Sequence, residues 1–361
     1  MTNNSDVLVQ GNTIIRDAQN KAQDDGNAIE GGGIELSFSS NVSVLKNIIQ
    51  TLNASPDEAG DGEGIMTQQS NVPNILDAGS IGSSTSTTIT DAKALWGVVT
   101  STRLNQFPGE VVAILSGPAT GQIRAIQSID TAAKTIMFSQ AWSPVPTTGD
   151  LYSIFGWTLS NAMIDGNTLI DNPNGIVIYD GCYNCTVQNI ILTNSRQIVS
   201  RVADQLLESS LYPEGRRGHL VAINVNIVNN TVSNTSGIRP AYIALDVEAF
   251  GTDNYKGMGI MNIQIRGNRI DPFPADPSRS YHPGASEITQ EGYYPCFMYG
   301  PAPIKDPLMK VFQNVNYGNN FQSTAVTYNS GSLQYTTQAC VNPLASSRPN
   351  PPVLDHLILI R

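Results

Sequence analysis

The chain has 361 residues, of which 40% are hydrophobic and only 14% charged, with 20 Lys plus Arg and a net charge of −10. That length can bury a substantial core in one large domain or two modest ones, and cations this sparse exclude a basic strip that tracks a phosphate backbone, so nucleic acid is not an expected partner. No apolar run approaches the roughly 20 residues needed to cross a bilayer, which excludes a helical membrane span.

The chain opens directly on a strand-like phrase, and residues 1–20 lack a basic start followed by an apolar stretch. It is read as an exported product whose leader was removed, which predicts an extracellular or cell-surface protein. The opening phrase, VLVQGNTII from Val7, returns as VSVLKNIIQ from Val42, AMIDGNTLI from Ala162, TVQNIILTN from Thr186, VNIVNNTVS from Val225 and NIQIRGNRI from Asn262. Alternating apolar residues predict a strand with one buried face, and the Asn that follows suits a tight turn because its side chain tolerates left-handed geometry. Asn167 and Asn189 are spaced as one coil of a parallel β-solenoid, in which neighbouring coils must stack to hide their apolar faces.

Two acidic loops precede early strands: Asp24, Asp25, Glu30 and Glu35 in one, Asp57, Glu58, Asp61 and Glu63 in the other. They are candidate calcium loops, with solvated loop charge as the competing reading. Glu63 is the most attractive of these acids, because Gly62 and Gly64 beside it would let a ligand approach the backbone. Residues 72–156 break the repeat. They alternate as short antiparallel strands with turns at Gly117-Pro118, Gly121 and Thr148-Gly149, so a small β-barrel-like insertion is predicted there.

Cys182 and Cys185 form a Cys-x-x-Cys pair with neither the second ligand pair of a zinc site nor the helix start of a redox motif. They flank a predicted turn, Tyr183-Asn184, between strands of successive coil edges, and are read as structural: buried thiols or a local bridge. Strand parity then supplies a candidate site. If Ile176 and Ile178 face inward, Tyr179 faces outward; by the same rule Arg201 and then Asp246 and Glu248 face outward, and Tyr179, Arg201 and Asp246 form a ladder on one face. An aromatic ring, a guanidinium and carboxylates can stack on a sugar, hold a uronate and move protons. A plain cross-strand salt bridge between Arg201 and Asp246 is the competing reading. A long loop brings Arg216, Arg217 and His219 together, where His219 can serve as acid or base and the arginines can neutralise an acidic sugar, or where salt bridges merely anchor the loop. Beyond Pro272 the sequence is loop-rich and is read as a wrap over the last coils, with Cys296 and Cys340 predicted to pair as a disulfide there.

The repeated phrases resemble those of right-handed parallel β-helix proteins, the superfamily of pectate lyases, polygalacturonases and phage tailspikes. The resemblance implies an all-β fold: a right-handed parallel β-helix over residues 1–71 and 157–300, the inserted antiparallel unit at 72–156, and a loop-rich C-terminal wrap over 301–361. The catalytic phrases of polygalacturonases (Asn-Thr-Asp, an Asp pair, Gly-His-Gly, Arg-Ile-Lys) and the signature strings of pectate lyases are absent, so the fold carries over and their catalytic residues do not. The expected activity is cleavage of a polysaccharide in a groove on the solenoid, by hydrolysis through Asp246 and Glu248 with Asp180 or Glu63 opposite, or by elimination through Arg201 or His219, with calcium as the one candidate cofactor. The alternatives are a non-catalytic glycan-binding, fibre-forming or phage-appendage-like protein, or one half of a larger enzyme. An exposed first coil favours a homo-oligomer.

Overall fold

The computed structural model describes residues 5–16, 33–51, 63–67, 75–94, 96, 110–172, 174–179, 181–195, 197–206, 217–233, 242–248, 260–270, 287–293, 312–316, 321–322 and 327–330. Its elements are strands, and most belong to three parallel sheets that the chain visits in turn. The first sheet stacks Ser5–Gln10, Ser39–Leu45, Leu159–Asp165, Cys182–Gln188, Ala222–Val228, Ile260–Arg266 and Phe312–Asn316. The second stacks Thr13–Arg16, Ile48–Thr51, Thr168–Ile170, Ile191–Thr193, Thr231–Ser233, Arg269–Ile270 and Phe321–Gln322. The third stacks Ile34–Leu36, Glu63–Thr67, Asn174–Ile178, Gln197–Leu206, Tyr242–Glu248, Glu287–Tyr293 and Thr327–Ser330. Each pass of chain therefore lays one strand on each sheet, and the inward columns fuse into a single core through Val44, Ile164, Val187 and Ile227 on the first sheet and Ile49, Leu169, Leu192 and Val232 on the second. Among the described residues no helix is long and apolar enough to cross a membrane.

The corner between the first and second sheets is made by two residues in each of the first six passes, and those two divide the work. The first takes the left-handed conformation: Gly11, Lys46, Gly166, Asn189, Asn229 and Gly267 all have φ between 53° and 68°. The second is Asn12, Asn47, Asn167, Asn230 or Asn268, with Ile190 standing in the fourth pass. These asparagines are not the left-handed residues, contrary to the sequence reading. Their side chains build a ladder down the stack: Asn47 N–H and Nδ2 both donate to Asn167 Oδ1 at 2.9 Å, and Asn167 Nδ2 donates to Val44 O at 2.8 Å. Asn230 and Asn268 repeat the arrangement, with Asn230 N–H on Asn268 Oδ1 at 3.0 Å. Buried amides survive here because each is satisfied by its neighbours, and where Ile190 interrupts the ladder its N–H donates to Asn230 Oδ1 at 3.0 Å. The true repeat is 23 residues where Asn184 bonds Asn161, and Asn189 corresponds to Gly166, one place before the ladder.

A second column of asparagines runs along the outside of the first sheet. Asp6, Asn41, Asn161, Asn184, Asn224 and Asn262 are all left-handed, with φ of 50° to 57°, and each Nδ2 from Asn41 to Asn224 donates to the side-chain oxygen one pass earlier at 3.0–3.2 Å. A left-handed residue inside a strand resets the alternation, so the residues two before and one after it both face inward. That explains Cys-x-x-Cys. Cys182 and Cys185 lie within one strand, not on either side of a turn between two, and both are buried free thiols of the core. Burial, reinforced by Cys182, pushes the Cys185 thiol well above its ordinary value. Both should resist alkylation in the native protein and react on unfolding, checked by mass spectrometry of the peptide that carries them. Because Cys185 ionises at higher pH when folded, its contribution to stability is present below the ordinary thiol pKa and falls away as pH rises above it.

At the start of the third sheet a column of glycines, Gly33, Gly64 and Gly175, crosses the inward side chains of the second sheet. A Cβ on Gly64 would collide with Leu169, and one on Gly175 with Leu192 and the carbonyl of Gln197. Gly175→Ala is expected to cost about 3 kcal/mol, read from the midpoint of denaturant unfolding, because neither the side chain nor the neighbouring backbone has room to move.

Residues 75–155 form a separate antiparallel sheet of Ile75–Ser80, Leu151–Phe155, Val111–Ile114, Ile123–Asp130, Thr135–Phe138, Thr88–Thr90 and Ser83–Thr85, in that spatial order. The two ends of that order are successive halves of one run, so the sheet curls round its own core, which includes Leu76, Ile89, Trp96, Ile136, Phe138 and Tyr152. Gly117, Gly121, Gly149 and Lys134 supply its left-handed turn positions, and Tyr152 Oη donates to Asp91 Oδ2 at 2.8 Å inside it. The unit leaves after Glu63–Thr67 and returns through Phe155 and Trp157, whose rings meet edge to face at 4.9 Å while Trp157 stacks on Tyr183 of the first sheet at 5.2 Å. The parallel stack also continues beyond residue 300, with Phe312–Asn316, Phe321–Gln322 and Thr327–Ser330 each paired to the preceding pass. The segment read as a wrap thus contributes strands to all three sheets.

Candidate functional site on the third sheet

The connections of the stack are unevenly placed. The corner between the first two sheets is short in every described pass, whereas every long connection joins an end of the third sheet: residues 17–33, 52–62, 234–241 and 271–286 before it, and 68–158, 207–221, 249–259 and 294–311 after it. The short connections at this sheet include residues 37–38 after the first pass, 171–173 and 179–181 on either side of the third, and 194–196 before the fourth. Loops on a rigid scaffold carry function, so the outer face of the third sheet, round which the long connections gather, is the place to look.

Register fixes what stands on that face. Ile176, Ile198 and Ile243 pair in one inward column and are fully buried. One residue along, Val177 pairs with Val199; both are buried too, in a small apolar cluster with Tyr179 that is separate from the main core. The outer face is therefore covered at this column, and in the next outward column Tyr179 and Arg201 are half-buried. There Tyr179 follows Ile178, and the Arg201 guanidinium lies 5.2 Å from the centre of the Tyr179 ring. Arg201 pairs with Asp246, and Asp246 pairs with Glu291. Two residues further along, Ala203, Glu248 and Tyr293 occupy the parallel column. Tyr179, Arg201, Asp246 and Glu291 thus follow one another in four successive passes at the ~4.8 Å pitch of adjacent strands.

Thr67 holds the aromatic end of the ladder. It is buried, accepts a hydrogen bond from Tyr179 N–H at 2.8 Å and donates one to Tyr179 O at 3.0 Å, fixing the residue just past the end of its strand. A cation over a ring face contributes about 0.5–1 kcal/mol at exposed sites and more as water is excluded, so Arg201 and Tyr179 form a pre-ordered pair.

The other sequence candidates fall elsewhere. Glu63 is only 2% exposed; Asn174 Nδ2 donates to its Oε1 at 3.4 Å, and Gln197 Nε2 donates in turn to Asn174 Oδ1 at 3.1 Å. Leu169 takes the space that Gly64 leaves open, so Glu63 belongs to an amide stack and a ligand has no approach there. Arg217 and His219 lie in a short antiparallel strand, Arg217–His219, with His219 paired to Asp204, three residues along the strand from Arg201. Glu35 stands exposed in the first strand of the third sheet. Asp24, Asp25, Glu30, Asp57, Glu58, Asp61, Asp180, Arg216, Cys296 and Cys340 lie outside the described residues. Among the described residues no three of His, Cys, Asp and Glu come together as a metal site. Glu291 is the residue the sequence reading missed. Its signal is the alternation of EITQEGY from Glu287, hidden in a segment taken as loop.

The fold and this face define an all-β protein built on three parallel sheets, with its long connections gathered round one of them. No known protein family matches the chain, and no curated protein is similar to it in sequence. Among solved structures it is similar to the tailspike protein gp49 from Pseudomonas phage LKA1, with a TM-score of 0.23 and 12% identity over 81% of this chain and 59% of that one. It is also similar to the Pseudomonas phage phi297 tailspike gp61, with a TM-score of 0.22 and 11% identity over 82% of this chain. The chain spans 59% and 60% of the lengths of these two tailspikes.

Proposed function

We propose that the stack is a right-handed parallel β-helix of the pectate lyase-like kind, and that the protein is an extracellular or cell-surface enzyme cleaving a polysaccharide on the outer face of the third sheet. One observation carries this reading: Arg201, its guanidinium over the Tyr179 ring, pairs in register with Asp246, and Asp246 with Glu291, so an aromatic residue, an arginine and two acidic residues follow one another in successive passes. The sugar chain lies along the stack, Arg201 meets an acidic or hydroxyl-rich sugar, and Asp246 is the central acid. Its partner is Glu291, one strand away at the ~4.8 Å pitch, or Glu248, two residues along the strand at ~7 Å. The first position suits the roughly 5 Å separation of a retaining glycoside hydrolase and the second the wider gap of an inverting one. The strand Arg217–His219 pairs with the end of Gln197–Leu206, and in this reading His219, with Arg216 and Arg217, supplies the base and charge neutralisation that elimination requires.

The same column supports a second reading, a non-catalytic glycan-binding or appendage-like protein, in which the pre-ordered pair of Arg201 and Tyr179 holds a sugar chain that is not cleaved. The two separate on a panel of neutral and acidic polysaccharides, with and without calcium, followed by reducing ends and by absorbance near 235 nm. Reducing ends alone mean hydrolysis and both signals together mean elimination. Binding without either signal establishes the second reading, and no binding across the panel overturns both.

A further inference from the structure

Five large apolar side chains stand open to solvent on the faces away from this site: Leu8 (62% exposed) and Met163 (36%) on the first sheet, and Ile15 (54%), Ile48 (44%) and Ile191 (49%) on the second. Register aligns them. Leu8 and Met163 both neighbour Ser43 in one column, and Ile48 and Ile191 both neighbour Thr168 in another. Through five passes the two outward columns of the second sheet hold only Ile, Thr, Ser and Gln; the first charge is Arg269, in the sixth. The two-residue corners between the first and second sheets leave no connection overhanging the ridge that joins them.

We infer that this surface is a self-association face, on which a second copy of the chain packs side by side. A contiguous exposed apolar patch with a polar surround marks a protein contact. The net charge of −10 opposes contact between copies at most surfaces, whereas the second-sheet columns of this face carry no charge through five passes and the first sheet and its corner add only Asp6, Lys46 and Asp165. A second copy also carries the same ~4.8 Å row spacing, so its side chains fall between these rows as in two sheets packed face to face, a match that a partner without the repeat lacks. Five passes high and two sheets wide, the face measures ~24 Å by ~30 Å, about 700 Å², close to the ~800 Å² each partner buries in a stable interface.

The test is sedimentation velocity of the full chain from about 1 to 100 μM, comparing wild type with Ile48→Lys/Ile191→Lys and with Met137→Lys, which places the same charge on an exposed position of the inserted unit. Wild type and Met137→Lys are expected to associate with rising concentration, and the double variant to remain monomeric with affinity lowered at least ~100-fold, as two buried unpaired charges require. Thr168→Lys, at the centre of the same column, gives the same answer if the double variant loses its fold. A wild-type monomer throughout, or association unchanged in both lysine variants, overturns the inference.

Discussion

Asn167→Ala is expected to lower the stability of the stack by about 4 kcal/mol, measured as a fall in the midpoint of denaturant unfolding with the slope unchanged. The Asn167 side chain accepts from Asn47 N–H and Nδ2 and donates to Val44 O at 2.8 Å and to Asp165 O at 3.3 Å. Truncation leaves those buried groups without partners, and each costs about 1–3 kcal/mol in an interior that water does not reach. Asn167→Asp fares no better, because a carboxylate cannot donate to the two carbonyls. Asn184→Gly is the contrasting control. Its φ of 54° suits glycine and its amide bonds are exposed, so the loss should stay below about 1 kcal/mol. Equal losses at the two positions would show that the inner ladder has no special weight.

The second large effect falls on turnover. If the third sheet cleaves a polysaccharide, Asp246→Asn should reduce kcat about 10³-fold while binding changes only a few-fold, because the amide keeps the shape and loses the proton and the charge. Glu291→Gln should match it under a retaining mechanism, and Glu248→Gln under an inverting one, so the pair of variants reports the stereochemistry as well as the site. Full activity in Asp246→Asn sinks the assignment of this column.

How much of this was legible depended on whether a residue announced itself by period. The repeat did, because six phrases with alternating apolar residues and an Asn can pack only by stacking. The ladder of Tyr179, Arg201 and Asp246 followed from parity, since Ile176, Ile198 and Ile243 share one inward column and carry their neighbours with them. The two columns of asparagine were harder, because one residue type does two jobs. In the corner it is the buried amide beside a left-handed Gly, Lys or Asn, and in the strand it is itself left-handed. The phrases SSNV, LSNA, CYNC, AINV and IMNI share that second Asn at one place. Reading them together explains why Cys182 and Cys185 both point inward without a metal or a bridge. Glu63 misled because a glycine neighbour marks close approach without saying of what, and here the approaching group is Leu169. Glu291 was lost with the proline-rich tail, where strand and connection have similar composition.

The placement of the site on the third sheet is tested most directly by amide hydrogen exchange with and without an oligosaccharide drawn from the polysaccharide panel. The account predicts protection confined to residues 174–179, 197–203, 242–248 and 287–293. Protection on the first and second sheets or within residues 75–155, with the third sheet unchanged, would contradict it.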